Sequence, residues 1–369
     1  MPGRLIRCCA PAVWCAIRVP ILSTDTSVFQ AKRLVVTGAA GFIGSNLAHW
    51  LRVHRRDTSL VCVDALTYAG NLANLAGLEQ DTGFQFVRGD IRDAELIGRL
   101  LDAGVDGVIN AAAHTHVDRS LLGGDDFAGT NVGGVQVLLE AIKQRPEMRF
   151  LQVSTDEVYG AQGPDERADE ETAYRPGNPY SATKSGGDLL TLAYVRSFGL
   201  NAVITRCCNN YGPFQHPEKV IPLFVTNLLA GKPVPLYGDG LHEREWLHVE
   251  DHCAAIVCVL ETGRAGDIYN ITSSERITNL ELTRRIVEIM GRDERSIRYV
   301  QDRPGHDRRY ALNDGKIRGE LGWRPRHLFA DGLKQTVQWY IEHQDWSSTV
   351  RSGEYRNYYE RQYGRRIAT

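Results

Sequence analysis

The chain has 369 residues, 43% of them hydrophobic, and a formal net charge of −2. That length suits one large domain or two ordinary ones with a sizeable core. Near-balanced charge argues against a nucleic-acid or membrane surface, and no apolar run is long enough to span a bilayer.

Residues 1–31 differ from the rest of the chain. Their early arginines and short apolar stretch imitate a signal peptide, but Pro11 interrupts the stretch and no small-residue cleavage site comes after it. A disordered extension is expected there, with the fold starting at Lys32. From that point short apolar strands recur: "KRLVVTG", "SLVCVD" (59–64), "FQFVRGD" (84–90), "GVIN" (107–110), "FLQVST" (150–155) and "NAVITR" (201–206). Amphipathic helical patterns lie between them, over 131–144 and 181–199 for example. Alternating strands and helices predict an α/β fold with a doubly wound parallel sheet covered on both faces. After residue 206 loops rich in Pro and Gly separate shorter elements. The expected division is a Rossmann-like dinucleotide-binding domain over 32–206 and a smaller α/β substrate domain over 207–369, partly interleaved with the first. The eight cysteines form no C-x-x-C pair, so no metal site is assigned and buried free thiols in a reducing cytoplasm are expected.

Three motifs carry chemistry. In "TGAAGFIG" (37–44), Gly38, Gly41 and Gly44 follow a strand and open a helix. Glycines there let the backbone approach a pyrophosphate over the helix N-terminus. Asp64 ends the next strand, 20 residues beyond Gly44. Its carboxylate suits the two hydroxyls of an adenosine ribose and would repel a 2′-phosphate, which favours NAD over NADP. Without that context the pattern would be an ordinary strand–helix turn.

In "YSATK" (180–184), Tyr180 and Lys184 share one helix face. A nearby ammonium is expected to lower the phenol pKa and make Tyr180 a base. Alone, such a pair is usually an exposed surface pair; downstream of a dinucleotide fold it is specific. Third, "STDEVYG" (154–160) sets Asp156 beside Glu157 just after Thr155. Simple oxidation by a Tyr–Lys pair needs no further acid and base. Elimination of water does: Glu157 removes a proton beside a carbonyl while Asp156 protonates the leaving hydroxyl. The bland alternative is a capping Asp and a surface Glu.

Together these segments resemble the extended short-chain dehydrogenase/reductase family, and within it the dTDP-glucose 4,6-dehydratases. The resemblance runs from about Lys32 to about Gly364 and includes "DALTYAGN", "THVDRS", "NNYGP", "PEKVIPLF", "DRPGHDRRYA" and "ELGWRP". It implies a closed redox cycle on a glucose nucleotide with tightly held NAD, regenerated at each turnover. It also implies that Thr155, Asp156, Glu157, Tyr180 and Lys184 are catalytic. Phe42 and Ile43 would contact the NAD diphosphate, Asp64, Ala65, Leu66 and Thr67 the adenosine ribose, and Asp90 and Ile91 the adenine. Ala111, Ala112, Ala113, Thr115 and Thr130 would line the path to the nicotinamide, with Thr115 offering its hydroxyl to the sugar. Thr155, Asn209 and Asn210 would face the substrate. Lys219, Val220, Pro235, Leu236 and Tyr237 would bracket its base, and Arg244, Asn270, Arg303 and His306 would hold its diphosphate. Arginine suits that task because its planar fork pairs two oxygens at once. A homodimer through the helices at 131–144 and 181–199 is also implied, with Gly186 and Gly187 permitting close approach.

The chain departs from the family pattern at three places. His114 and Thr115 stand where the family has Glu and Ser. Glu243 precedes Arg244 where an apolar residue is usual; it either competes for Arg244 or points away into solvent, and the second is favoured. Residues 1–31 have no counterpart. Competing readings are a UDP-glucose dehydratase, a 4-epimerase using the Tyr–Lys–NAD half alone, and a non-catalytic sugar-nucleotide-binding protein.

Overall fold

The computed structural model describes residues 28–123 and 126–351. In chain order the strands are β1 (Arg33–Thr37), β2 (Ser59–Asp64), β3 (Phe84–Arg88), β4 (Gly107–Asn110), β5 (Arg149–Thr155), β6 (Ala202–Cys207), β7 (Asn209–Tyr211), β8 (Val234–Tyr237), β9 (Glu243–His248), β10 (Ile268–Ile271), β11 (Arg276–Thr278) and β12 (Ile297–Val300). The α-helices are α1 (Phe42–His54), α2 (Ala94–Asp102), α3 (Val117–Leu122), α4 (Val135–Lys143), α5 (Pro179–Phe198), α6 (Val220–Leu229), α7 (Val249–Thr262), α8 (Asn279–Ile289), α9 (Gly315–Glu320), α10 (Phe329–Glu342) and α11 (Gln344–Val350).

Seven strands form one parallel sheet in the order β10-β6-β5-β4-β1-β2-β3. Its central strands are continuous apolar runs because both faces are covered. The two faces sort by the strand period of two. Leu34 and Val36 of β1 pack with Leu47 and Leu51 of α1 and Ile256 and Val259 of α7. Val35 faces the other way, into a cluster with Ile97 of α2, Leu138 and Leu139 of α4 and Tyr194 of α5.

The six strands expected before residue 207 are all present. The chain beyond that point forms a second core under α6, α8 and α10, with Phe224, Trp246, Ile286, Phe329 and Tyr340 inside. Two small sheets, β11-β9-β7 and β12-β8, flank it. The same stretch sends α7 and β10 back onto the first sheet. At the other end, residues 1–27 of the expected extension lie outside the described residues. Phe29 and Ala31 already pack on the core, and the Phe29 amide donates to the Glu261 carbonyl at 2.9 Å. The folded part therefore begins before Lys32.

α5 carries its own start and stop signals. The Asn178 side chain accepts from the Ser181 amide at 2.9 Å, Pro179 takes the first turn, and Gly199 ends the helix in the left-handed region at φ 70°. Gly186 and Gly187 serve a contact within the chain. A Cβ on Gly187 would meet the Asn131 carbonyl at 2.7 Å, and one on Gly186 would meet Val132 Cγ2 at 2.9 Å. The helices expected at a subunit boundary thus pack against one another here.

Candidate active site

The sheet order reverses between β1 and β4. A doubly wound sheet opens a crevice at such a point, beyond the carboxyl ends of its strands. A cleft of about 400 Å³ lies there. Gly38, Asp64, Asp90, Ala111, Thr155 and Cys207 line it, one at or just past the end of each of β1 to β6.

At the β1 end the wall is backbone. Gly38 has φ +65°, and a Cβ on it would stand 2.7 Å from the Ala112 backbone; a Cβ on Gly44 would stand 2.1 Å from the Gly38 carbonyl oxygen. Gly41 caps α1 without any side-chain hydrogen bond. The first amides of α1 therefore have no capping side chain in their way, which suits an anion. Asp64 is buried; its Oδ2 accepts from the Ala40 amide at 2.9 Å and its Oδ1 from the Leu66 amide at 2.7 Å. Burial pushes its pKa up against those bonds. Each carboxylate oxygen keeps acceptor capacity for a hydroxyl.

Gly41, Phe42, Ile43, Gly44, Ala65, Thr67, Ile91, Ala112, Ala113 and Thr130 also line the cleft. This bare glycine turn, the open helix N-terminus and a carboxylate at the β2 end fit a dinucleotide. Leu66 does not line the cleft: its left-handed backbone, φ 55°, turns its amide onto Asp64 instead.

The catalytic candidates meet at the β5 end. Just after β5, Asp156–Tyr159 forms one turn of 3₁₀ helix capped by Thr155, whose Oγ accepts from the Glu157 amide at 3.3 Å. That turn removes the strand alternation that would have sent the two carboxyls to opposite faces. Thr155, Asp156, Glu157 and Tyr180 all line the cleft. Asp156 is 4% exposed, and its Oδ2 has no hydrogen-bond partner. Burial, reinforced by Glu157, raises its pKa well above the ordinary carboxylate value, which keeps it protonated. Glu157 Oε2 instead accepts from Asn178 Nδ2 at 3.2 Å and from the Tyr310 hydroxyl at 3.5 Å.

Lys184 sits one layer below, outside the cleft lining, and its Nζ donates to the Val153 carbonyl at 2.7 Å. Burial lowers its pKa to about 8, while Asp188 opposes the fall. Asp188 in turn pairs with the fully buried Arg206 at 3.0 Å, which lies between the rings of Tyr159 and Tyr174. The expectation that Lys184 lowers the Tyr180 pKa does not describe this structure. Burial and then the Glu157 carboxyl push the phenol up, and a hydrogen bond with Thr155 only partly offsets them. The physical reason is that two carboxyls share the phenol's dry surroundings.

The far side of the cleft holds Thr115, Asn209, Asn210, Lys219, Val220, Pro235, Leu236, Tyr237, Arg244, Arg303 and His306. Its cations already have partners. Arg303 Nη1 donates to Asp118 Oδ1 at 2.7 Å, and Tyr237 donates to Asp118 Oδ2 at 3.0 Å. Arg303 and its neighbours hold the Asp118 pKa at about 2, against the cost of burial. Arg244 lies over the Tyr310 ring and donates to the carbonyls of Glu243 and Asp307. Lys219 Nζ donates to the Thr115 carbonyl at 3.0 Å.

Asn270 is a correction. It is fully buried, accepts from the Tyr159 hydroxyl at 2.8 Å, donates to the Ala168 carbonyl, and does not line the cleft. Glu243 points away from Arg244, as the alternation of β9 dictates, but it is not merely solvated: it pairs with Arg276 at 3.0 Å and Arg309 at 3.3 Å. His114 lines the cleft and stacks on Tyr68. Sequence reasoning missed Asp118, Glu218 and Tyr310. Only membership of "THVDRS", "PEKVIPLF" and "DRPGHDRRYA" could have flagged them, because the contacts that tie them to the site (Asp118 to Arg303, Glu218 to Arg119 at 2.9 Å, Tyr310 to Glu157) span about a hundred positions or more.

Comparison with known proteins agrees with this geometry. The family model of GDP-mannose 4,6 dehydratase matches residues 35–336. A dTDP-glucose 4,6-dehydratase of Streptomyces niveus is 48% identical, over 87% of this chain and 96% of its own. The crystal structure of DesIV, a dTDP-glucose 4,6-dehydratase from Streptomyces venezuelae with NAD bound, superposes with a TM-score of 0.84 at 50% identity, covering 86% of this chain and 99% of that one. A UDP-glucose 4-epimerase of Thermotoga maritima shares the fold at a TM-score of 0.78 and 29% identity, over 85% of this chain and 99% of that one. The chain therefore belongs to the 4,6-dehydratase family of sugar-nucleotide enzymes, in the company of the dTDP-glucose 4,6-dehydratases.

Proposed function

We propose that this chain converts dTDP-glucose to dTDP-4-keto-6-deoxyglucose and water. The observation that carries this reading is the Asp156–Glu157 pair beside Tyr180, with the Asp156 carboxyl buried in the cleft wall, one oxygen unpartnered, and its neutral form favoured. An epimerase has no use for such a pair.

The β1 turn, the N-terminus of α1 and Asp64 would hold NAD. When bound, it supplies the oxidant at C4 and returns the two electrons at C6. Tyr180 takes the proton of the C4 hydroxyl while Thr155 orients that oxygen. Lys184, whose charged form Asp188 favours against burial, would support the phenolate in which Tyr180 accepts that proton. The C4 carbonyl then acidifies C5. Glu157 takes the C5 proton, and Asp156 gives its own proton to the C6 hydroxyl, which leaves as water. Glu157 returns its proton to C5, and the proton held by Tyr180 passes to Asp156, so each group ends as it began. Asn209 and Asn210 face the sugar. Arg244, Arg303 and His306 hold the diphosphate, and Lys219, Val220 and Pro235–Tyr237 bracket the base. Asn270 has no place in this site.

We also assign a cytoplasmic homodimer. Free thiols at Cys62, Cys207, Cys208, Cys253 and Cys258 support a reducing compartment. Leu189 and Phe198 of α5 are about half exposed, at 52% and 54%, and offer an apolar face for a second copy. Among the described residues no helix is long and apolar enough to cross a membrane.

The test is a competition. Purified protein is mixed with dTDP-glucose and UDP-glucose, and each mass is followed. Loss of one water from dTDP-glucose is expected. Loss from UDP-glucose alone would move the substrate, and loss from neither, with NAD supplied, would end the dehydratase reading.

A further inference from the structure

The mechanism leaves one nucleophile in the cleft unused. Cys207 ends β6, and it lines the cleft together with Cys208, Asn210 and His252 of α7. Asn210 Nδ2 donates to the Cys207 sulfur at 3.1 Å, short for a bond to sulfur. His252 is fully buried, and neither of its ring nitrogens has an aligned hydrogen-bond partner. Its ring lies close enough to Cys207 to act on the sulfur, as does the neighbouring Cys208 thiol. Three side chains that can donate thus surround one sulfur at the wall of an open crevice. Cys207 is only 4% exposed and packs on the apolar core, so its donors and its place on the crevice wall, which Cys62, Cys253 and Cys258 do not share, set it apart; reactive thiols occupy such donor-rich settings.

We propose that Cys207 is a covalent modification site for small soft electrophiles, held as a nucleophile by Asn210 and His252. The thiolate sulfur attacks the electrophilic carbon. A carbon–sulfur bond forms, the leaving group departs with the bond's electron pair, and the thiol proton has already passed to solvent. The adduct then fills the cleft wall next to Asp156.

The surroundings support this chemistry. Burial alone would raise the Cys207 pKa; the neighbouring Cys208 and His252 and the Asn210 hydrogen bond outweigh it and bring it down to about 5. The titratable groups facing this cluster are Asp156, Glu245, Cys208, His252 and Cys253. Burial keeps Asp156 and Cys208 protonated, so they place no full charge against the thiolate. The other described thiols contrast with it: burial raises the pKa values of Cys62, Cys253 and Cys258.

The experiment is iodoacetamide labelling of the purified full chain, read site by site by peptide mass between pH 6 and 8. It does not depend on what the enzyme acts on. Cys207 is expected to label at least about tenfold faster than Cys62, Cys253 or Cys258 at pH 6.5, and its rate should change less than about threefold across the range. An ordinary thiol would speed up roughly a hundredfold over the same two pH units. A rate that climbs in that ordinary way overturns the proposal, and so does absence of label at Cys207. Asn210→Ala and His252→Phe should each restore a pH-dependent rate. If either variant fails to fold, the wild-type pH profile alone decides.

Discussion

The cofactor half of the cleft is shaped by what its residues lack, and the substrate half by charges that already have partners. Around β1 the working surface is backbone: two glycines make room, a helix start is left uncapped, and one carboxylate is tied to amides. On the far side Arg244 is a buried cation and Arg303 and Lys219 are partly buried ones, each engaged by Asp118 or by main-chain carbonyls. The difference comes from the ligand each half must bind. A pyrophosphate can be held by amides, which cost nothing to keep in the absence of ligand. A buried guanidinium without a partner would destabilise the fold, so it waits in a pair and shares that pair with its ligand. Between the halves sit Asp156 and Tyr180, whose neutral forms are favoured first by burial and then by the Glu157 carboxyl.

The comparison can be broken at four points. Asp156→Asn, near-isosteric and unable to give up a proton, should slow water loss from dTDP-glucose about 10²- to 10⁴-fold, followed by product mass. The same variant tests the electrostatics. A carboxyl whose folded pKa is raised contributes stability fully below its unfolded pKa and loses it as pH rises through the folded value. Asp156→Asn should therefore match wild type near pH 4 and be more stable at pH 8, read by urea unfolding. Equal stability at both pH values would show that Asp156 is not held neutral.

Asp118→Asn leaves Arg303 buried without its counter-charge and should cost about 3 kcal/mol, read as a fall in thermal midpoint. No fall would mean that the substrate half does not depend on its pairs. Gly44→Ala forces a methyl group into the Gly38 carbonyl and should cost about 1–3 kcal/mol, with less NAD retained on purification. Glu243→Gln, on the face of β9 away from Arg244, should cost under about 1 kcal/mol and leave KM for dTDP-glucose unchanged. A changed KM would return Glu243 to the diphosphate site.

Local spacing alone determined much of this protein. The glycine turn, Asp64 at the next strand end, the six apolar strands and the Asp–Glu pair are all features of a few consecutive residues. Strand and helix periods convert such features directly into position. The same periods turn Glu243 away from Arg244, although its partners Arg276 and Arg309 lie far along the chain.

What the tertiary structure decided depends on long-range burial. It moved Asn270 from the site into the core, where Tyr159 and the Ala168 carbonyl occupy its side chain. It put Gly186 and Gly187 against Asn131 and Val132 of the same chain. It reversed the expected shift of Tyr180, because Asp156 and Glu157 share the phenol's dry surroundings while Lys184 bonds the Val153 carbonyl. It also brought His252 to Cys207, and Asp118 to Arg303 across 185 positions. Pairing and desolvation are sums over every neighbour in space, and no window of sequence contains those neighbours.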